Sequence, residues 1–490
     1  MNKLLRYSLI LIFVIASQLV YSQEFEWSNL ERFRNRKSYN HILGQNSSGI
    51  FVLRSRGQEI YSKVILERYR NSLGLDYSKR LVGMKGFRFI DAHVQEEGLL
   101  VWKSMFNPAN EKLELFVQRV DNDNSLDGEL KLMTQVGLKN FSDEGDFSIH
   151  TNKRQSHYVN CFTERIKGKY RKFHIQVWDD SLNLVREKQF VLPFEEDDFN
   201  LESVEVDTMG HAFLLFSGVN EEKERETPER IGLHVFALTN SDSLIHHYLN
   251  LSDTYLSSPL MTIDEVNKHI QVSALYSLKS RDNSKGVLFA SFDLATGKKL
   301  KHEFIPYTYS FAKDIIGEDG IKRDDEPENF SLKFIVPRSD GGFILFGEEF
   351  SVAQQSYTYY VNGIAQMTSR SVYNYGKLFI ISIDANAKLD WFHIVNKGQS
   401  SVNDLGYYSS FTIVVGVNEI RLLFNDRVRG AGGVVEYTLN TKGELNNKML
   451  FGNQGPYVAI APLEAKQLDA RSMLIPTAKD RKFAFVKLIY

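Results

Sequence analysis

Several clusters in this chain carry residue types suited to metal binding or acid–base work, and their spacing decides against most of them. The densest run of oxygen ligands is Asp121-Asn122-Asp123-Asn124-Ser125-Leu126-Asp127-Gly128. A calcium loop of the EF-hand type needs glycine at its sixth position to bend and glutamate at its twelfth to bind bidentately. Leu126 and Leu132 stand there, so the run reads as a polar turn. Glu195-Glu196-Asp197-Asp198 and Asp324-Asp325-Glu326 offer oxygen ligands too, but read as solvated connections between repeats. His246 and His247 are adjacent, and on a strand consecutive side chains face opposite ways and cannot chelate one ion. There is no His-Glu-x-x-His, no Gly-x-Ser-x-Gly elbow and no phosphate-binding loop. Arg429-Gly430-Ala431-Gly432-Gly433 is glycine-rich but lacks the strand-to-helix setting that such a loop requires. Cys161 is the only cysteine, which rules out an intramolecular disulfide; in the strand-like run His157 to Phe162 it is expected to be a small buried apolar residue. No metal, cofactor or catalytic residue is therefore expected. A site assembled from one residue per repeat would leave no local motif.

The residues best suited to function do a different kind of chemistry. Tyr357-Thr358-Tyr359-Tyr360-Val361-Asn362-Gly363, ending in Tyr373-Asn374-Tyr375, packs five tyrosines into one insertion between Glu348 and Gly376. Tyrosine-dense loops give rigid amphipathic contact surface. Tyr357, Tyr359, Tyr360, Tyr373 and Tyr375 are accordingly the candidate binding residues. The same stretch could instead be a hairpin packed on its own sheet, and both alternatives stand at this point. A second insertion, between Gly218 and Gly232, carries Glu221-Glu222-Lys223-Glu224-Arg225-Glu226 and reads as a solvated loop.

These segments interrupt a repeat. An alternating apolar strand, a short polar turn and a leucine opening a second strand recur seven times, as in Tyr69-Arg70-Asn71-Ser72-Leu73-Gly74-Leu75 and Trp178-Asp179-Asp180-Ser181-Leu182-Asn183-Leu184. Anchored on the closing leucine, the copies fall at Leu75, Leu130, Leu184, Leu244, Leu300, Leu389 and Leu445. Most intervals are about 55 residues, the length of one four-stranded antiparallel sheet with its turns. Another strand pair precedes each hairpin, for example around Gly342-Phe343-Ile344-Leu345-Phe346-Gly347. Each repeat therefore reads as strands a, b, c and d, with both insertions between b and c. No helix longer than two turns is expected after the N-terminal segment.

The pattern predicts an all-β fold, a β-propeller of eight four-stranded antiparallel blades, with seven as the alternative. The eighth repeat, from Tyr457 to Tyr490, lacks its last strand, and Phe25-Glu26-Trp27-Ser28-Asn29-Leu30 has no other partner. Pairing the two would close the array and leave no exposed edge at the seam. Residues 23–490 are expected to form this single domain. A chain this long exceeds the size at which one packed core stops growing, a limit that repeats escape by packing only on their neighbours.

Lys3, Arg6 and the apolar stretch Leu9 to Val20, followed by Val20-Tyr21-Ser22, have the make-up of a signal peptide cleaved after Ser22. No second apolar run follows, so no transmembrane segment is expected after cleavage. Loss of Lys3 and Arg6 takes the formal charge from −2 to −4, too near neutral to suggest a nucleic-acid or anionic-membrane partner.

Asp340-Gly341-Gly342-Phe343 and the following Ile383-Asp384-Ala385-Asn386-Ala387-Lys388-Leu389-Asp390-Trp391 resemble a repeat of exported bacterial β-propellers. In those proteins an Asp-Gly-Gly-aromatic hairpin leads to an Asp-x-x-Gly-type turn and a Trp, with Ala387 here in place of the turn glycine. The resemblance implies a fold and an exported, Gram-negative type of compartment, periplasmic or secreted, and transfers no functional residues. Phe292-Asp293-Leu294-Ala295-Thr296-Gly297-Lys298-Lys299-Leu300 is similar to one repeat of the quinoprotein dehydrogenases, but Lys301 replaces the tryptophan of that pattern and the match does not recur. It reads as an ordinary hairpin turn.

Two functional expectations follow. The first is a non-enzymatic binding or scaffold protein that docks a protein partner of the cell envelope through its rim loops. The alternative is a glycan- or small-ligand-acting propeller with a site at the channel mouth.

Overall fold

The computed structural model describes residues 24–490 except 33–38, 56–63, 138–146, 166–169, 196–198, 219–231, 240–243, 250–253, 363, 429–431, 452–457 and 480–481. The signal-peptide expectation (residues 1–22), the charged insertion Glu221 to Arg230, and most of the runs Glu195 to Asp198 and Arg429 to Gly433 lie outside the described residues.

Strands b and c decide the architecture. In the fourth repeat, Ala212–Gly218 and Gly232–Leu238 are buried at every position. A strand covered on both faces can be apolar throughout, whereas an outer strand such as Leu75–Arg80 is mostly exposed and mostly polar. Among the described residues this gradient recurs through eight antiparallel sheets, each built on four strands, which in seven of them pair in chain order. They span residues 39–80, 88–137, 148–195, 199–249, 255–306, 330–395, 412–451 and, for the eighth, 459–489 together with the N-terminal strand. The connectivity is that of an eight-bladed β-propeller.

The chain divides into two compact units. One holds the described residues up to Leu81, Val94–Gly98 and Tyr407–Tyr490; the other holds Val82–His93 and Leu99–Gly406. Within the second unit consecutive sheets share cores: Leu100 and Trp102 with Tyr158 and Trp178, then Phe173 with Phe216 and Phe236, then Phe213 and Val235 with Ile270 and Leu288. Within the first, Val52 and Ile50 pack with Leu474 and Phe485, and Leu423 with Met473 and Val486. Each such side chain contributes about 1.5–3 kcal/mol on burial.

The expected seam is present in the first unit. Glu24–Trp27 pairs antiparallel with Lys482–Ile489, Glu24 opposite Ile489 and Trp27 opposite Val486. The pairing continues through Ser28, whose N–H donates to the Phe485 carbonyl at 3.0 Å and whose Oγ accepts from the Phe485 N–H at 2.8 Å.

The recurring turn has one physical cause. In four repeats an Asp or Asn (Asp121, Asp179, Asp384, Asn440) accepts, through Oδ1, the N–H four residues on, at 2.7–2.9 Å. The residue three places after it adopts positive φ: Asn124, Leu182, Ala387 and Gly443, joined by Leu73 in the first repeat. A left-handed residue costs about 1–2 kcal/mol when it is not glycine. Leu73 and Leu182 offset that cost by packing against neighbouring cores.

Two expectations are corrected. The second repeat's outer strand opens at Leu126 rather than Leu130, because the turn closes at Ser125 and a bulge between Asp127 and Lys131 shifts the register behind it. A helix also forms, Tyr309–Lys322, between the fifth and sixth sheets, with a kink at Gly317. The Thr308 Oγ1 caps it by accepting from the Phe311 N–H at 3.3 Å. Phe311 is buried, tilted against Tyr307 and edge-on to Phe379 and Phe392. Among the described residues no helix is long and apolar enough to cross a membrane.

Candidate functional site

The tyrosine-rich insertion extends strands b and c of the sixth sheet. Phe343–Val361 and Ile364–Ile383 form one hairpin, paired from Phe343 opposite Ile383 out to Val361 opposite Ile364. Its foot packs in the blade, its tip stands clear of it, and the five candidate tyrosines divide between the two.

At the foot, the side chains of Glu348 and Lys397 are fully buried and form an ion pair of 2.6 Å. The Lys397 Nζ also donates to the Gln399 Oε1 at 2.9 Å and lies 5.5 Å from the centroid of the Tyr375 ring. Burial pulls the Lys397 ammonium below the usual lysine range, against the opposing pull of Glu348. Phe350 stacks on Tyr375 at 4.7 Å, and the Lys333 ammonium lies 5.5 Å from the Phe350 ring. Tyr375 is only 5% exposed, so it is a core residue and not part of a binding surface. Burial, with Glu348 next, pushes its hydroxyl up to about 12. Gly406, at φ 73°, lies against it; a Cβ there would come within 2.4 Å of the Tyr375 hydroxyl. Tyr373 is half-buried on a stretch of strand c that pairs with Gln399–Val402.

At the tip, both faces of the ribbon are exposed. Tyr357 and Tyr359 share one face with ring centroids 6.4 Å apart. The Tyr359 hydroxyl donates to the Gln366 Oε1 at 2.7 Å. The Arg370 guanidinium sits 5.6 Å from the Tyr357 ring and donates to the Gln355 Oε1 at 3.1 and 3.0 Å. Tyr360 and Met367, 73% and 78% exposed, stand on the opposite face. From Ser351 to Arg370 the only charged side chain is that of Arg370. Among the described residues, 364–370 pair with strand b alone, so the outer edge of strand c is open there, while Ser371 is already bonded to Asn403 on that edge.

The residues singled out for metal chemistry have other occupations. Asp121 spends its carboxylate on the N–H groups of Asp123 and Ser125. Glu326 accepts from the Ser277 hydroxyl at 2.5 Å. The His247 Nε2 lies 2.7 Å from the Gly297 carbonyl, while His246 stacks on Phe236 and meets the Nδ1 of His234 at 3.0 Å. That cross-strand histidine pair escaped the sequence reading, because strand pairing and not spacing creates it. Burial pushes His234 down to about 3. Cys161 is buried, and desolvation raises its thiol well above the ordinary range. Among the described residues no three His, Cys, Asp or Glu side chains are placed to hold a metal ion.

No protein-family model matches the chain, and no curated protein matches it. Solved structures similar to it include the WD40 domain of SCAP from fission yeast, at 10% identity and TM-score 0.40, over 96% of this chain and 98% of that one. The β-propeller domain of the Trilobed protease from Pyrococcus furiosus matches at 10% identity and TM-score 0.32, over 88% and 99%. An α-L-arabinanase from Penicillium chrysogenum matches at 12% identity and TM-score 0.33, over 66% and 94%. The likeness is one of fold. It brings no site with it.

Proposed function

We propose that this chain is a non-enzymatic binding protein that engages a protein partner through the tip of the sixth-blade hairpin. The observation that carries this reading is the ribbon's composition: a two-stranded β-ribbon with exposed Tyr357, Tyr359, Tyr360, Ile364 and Met367 and one charge, Arg370. Proteins blunt an open strand edge with charge, proline or a bulge, because an unprotected edge pairs with other chains. The tip has no proline and no Asp, Glu or Lys between Ser351 and Arg370. The partner that suits it presents an extended segment to the outer edge of strand c, hydrogen-bonding through main chain while side chains lie over Tyr357 and Tyr359.

The proposed setting is the Gram-negative cell envelope, periplasmic or secreted, on the strength of the leader-like first 22 residues and the Asp-Gly-Gly-aromatic repeat of exported propellers. N-terminal sequencing of the mature protein is expected to begin at Gln23; a retained Met1 would overturn export by this signal. For the docking claim, a photo-crosslinking residue at Tyr360 in the native cell is expected to capture one partner. Capture should disappear when Tyr357, Tyr359 and Ile364 are changed to Ser in the same chain. Capture that survives those changes would place docking elsewhere.

A further inference from the structure

A second surface, independent of the hairpin tip, has the make-up of a small-ligand site. Between the fifth and sixth sheets, within the second unit, lies a cleft of about 530 Å³. Its lining includes Ser257, Ser258, Arg281, Asp282, Asn329 and Phe350. That volume falls among ligand pockets, which run to roughly 300–1,000 Å³.

The backbone around the cleft departs from regular sheet on every side. Strand a of the fifth sheet is bulged between Ser257 and Leu260 and strand a of the sixth between Leu332 and Phe334, and the pairing of strands b and c of the sixth slips between Glu348 and Phe350, with the extra residue on strand c. Ser258 and Asn329 both hold positive φ, 51° and 61°. Bulges re-aim side chains beside functional sites, and left-handed non-glycine residues gather where surrounding structure imposes them. The imposing structure is visible. The Asn329 N–H donates to the Asp282 carbonyl at 2.7 Å, the Phe350 N–H to the Asn329 carbonyl at 2.8 Å, and the Ser284 N–H to the Pro327 carbonyl at 2.8 Å. The loop bearing Arg281 and Asp282 is thus fastened to the segment that enters the sixth sheet. The walls are set before any ligand arrives, which lowers the ordering cost of binding.

What these walls present is unspent polarity. Among the described residues, the side chains of Ser257, Ser258, Arg281, Asp282 and Asn329 make no hydrogen bond or ion pair within the protein. Two alcohols, a carboxamide, a five-donor guanidinium and an acceptor carboxylate converge beside the ring of Phe350. The charges of Arg281 and Asp282 balance, which disfavours a plain anion or cation. Alternating donors and acceptors next to an aromatic face match a polyhydroxylated ring, whose hydroxyls both give and take hydrogen bonds and whose C–H face is apolar.

We propose that this cleft binds a short saccharide, roughly two or three rings in a space of this size. Arg281 and Asp282 hold hydroxyls from one side, Asn329 and Ser258 from the other, and Phe350 lies under a ring. No bond is made or broken.

The test uses the full chain in calorimetric and saturation-transfer titrations with maltotriose, cellotriose, chitotriose and trigalacturonate. At least one of the four is expected to bind the native protein. Arg281→Ala and Asn329→Gly should each weaken that ligand about tenfold, or ~1.4 kcal/mol. Glycine is chosen at 329 because it keeps the left-handed backbone and removes only the amide. Both changes should leave the melting temperature in place, since neither side chain has an internal partner. Tyr360→Ser, at the hairpin tip, should leave saccharide affinity unaltered, which separates this site from the docking surface. Failure of all four probes to bind, or equal binding by the native protein and the two cleft variants, would overturn the proposal.

Discussion

The foot and the tip of the sixth-blade hairpin are made from the same two strands and the same abundant residue, and they do opposite things. At the foot, Tyr375 is buried under Phe350 with the Lys397 ammonium over its ring and Glu348 beside it. At the tip, Tyr357, Tyr359 and Tyr360 face solvent on both sides of a ribbon that carries one charge. The difference teaches that tyrosine density alone does not mark a contact surface. A tyrosine with a buried ion pair for a neighbour holds the blade together, and one with only its ribbon for support is free to meet something else.

Breaking the foot should have the largest effect. Lys397→Ala removes the ammonium that forms the 2.6 Å ion pair with the buried Glu348 carboxylate, leaving Lys333 as the nearby cation, and is expected to cost about 3–5 kcal/mol in denaturant unfolding. Changing both partners, Glu348→Leu with Lys397→Met, should recover most of that loss, because an apolar pair removes both desolvation penalties. A double variant as unstable as the single one would show that the pair does more than neutralise itself. Tyr375→Ala, which empties a packed site without exposing a charge, should cost about 3 kcal/mol.

A second buried lysine sharpens the point. Among the described residues Lys103 has no carboxylate within ion-pair distance: its Nζ donates to the Gly83 carbonyl at 2.7 Å and to the Gln118 Oε1 at 2.6 Å, and burial pushes it down to about 8. Below pH 8 it is charged in both folded and unfolded chains, and the folded state bears the desolvation cost. Between pH 8 and the unfolded value near 10.5 the folded chain has released the proton while the unfolded chain still holds it, so stability rises with pH. The native protein should gain on the order of 2 kcal/mol relative to Lys103→Met across that window. Parallel stability curves for the two would mean that the ammonium is better solvated than its burial implies. The smallest effect is expected at the tip. Tyr357→Ser and Tyr359→Ser should each shift stability by under ~0.5 kcal/mol while weakening capture of the partner by the cross-linker at position 360.

The division between foot and tip was out of reach of the sequence for a definite reason. Alternation assigns faces only while the register holds. Between Glu348 and Phe350 the pairing slips, so that Glu348 faces Leu378 but Phe350 faces Tyr375. One extra residue on strand c reverses which side chains turn inward. A similar bulge moved the second repeat's outer strand from the expected Leu130 to Leu126. The helix Tyr309–Lys322 was missed because it buries only Phe311 and Gly320 and is broken at Gly317, which leaves no 3.6-residue stripe to read. What could be read was whatever one local interaction repeats: the Asx-capped turn, the continuous apolar runs of strands b and c, and the unpartnered Phe25 to Leu30 segment that completes the eighth sheet. Glu348 and Lys397 meet only through the fold, and the cleft beside Arg281 rests on left-handed Ser258 and Asn329, positions where no glycine announces the turn.

The seam also sets a schedule for biosynthesis. Ser28 and Phe485, which exchange two hydrogen bonds, are 457 residues apart in the chain. At roughly 5–20 residues per second, the strand Glu24–Trp27 leaves the ribosome tens of seconds before the strand it must join exists. Through that interval the first piece of the eighth sheet is a loose edge, and no amount of local order elsewhere can hurry its completion. A chain built this way benefits from being held open until synthesis ends, and closure then comes as a single late event over a very long loop, slow by its contact order and hard to reverse once made.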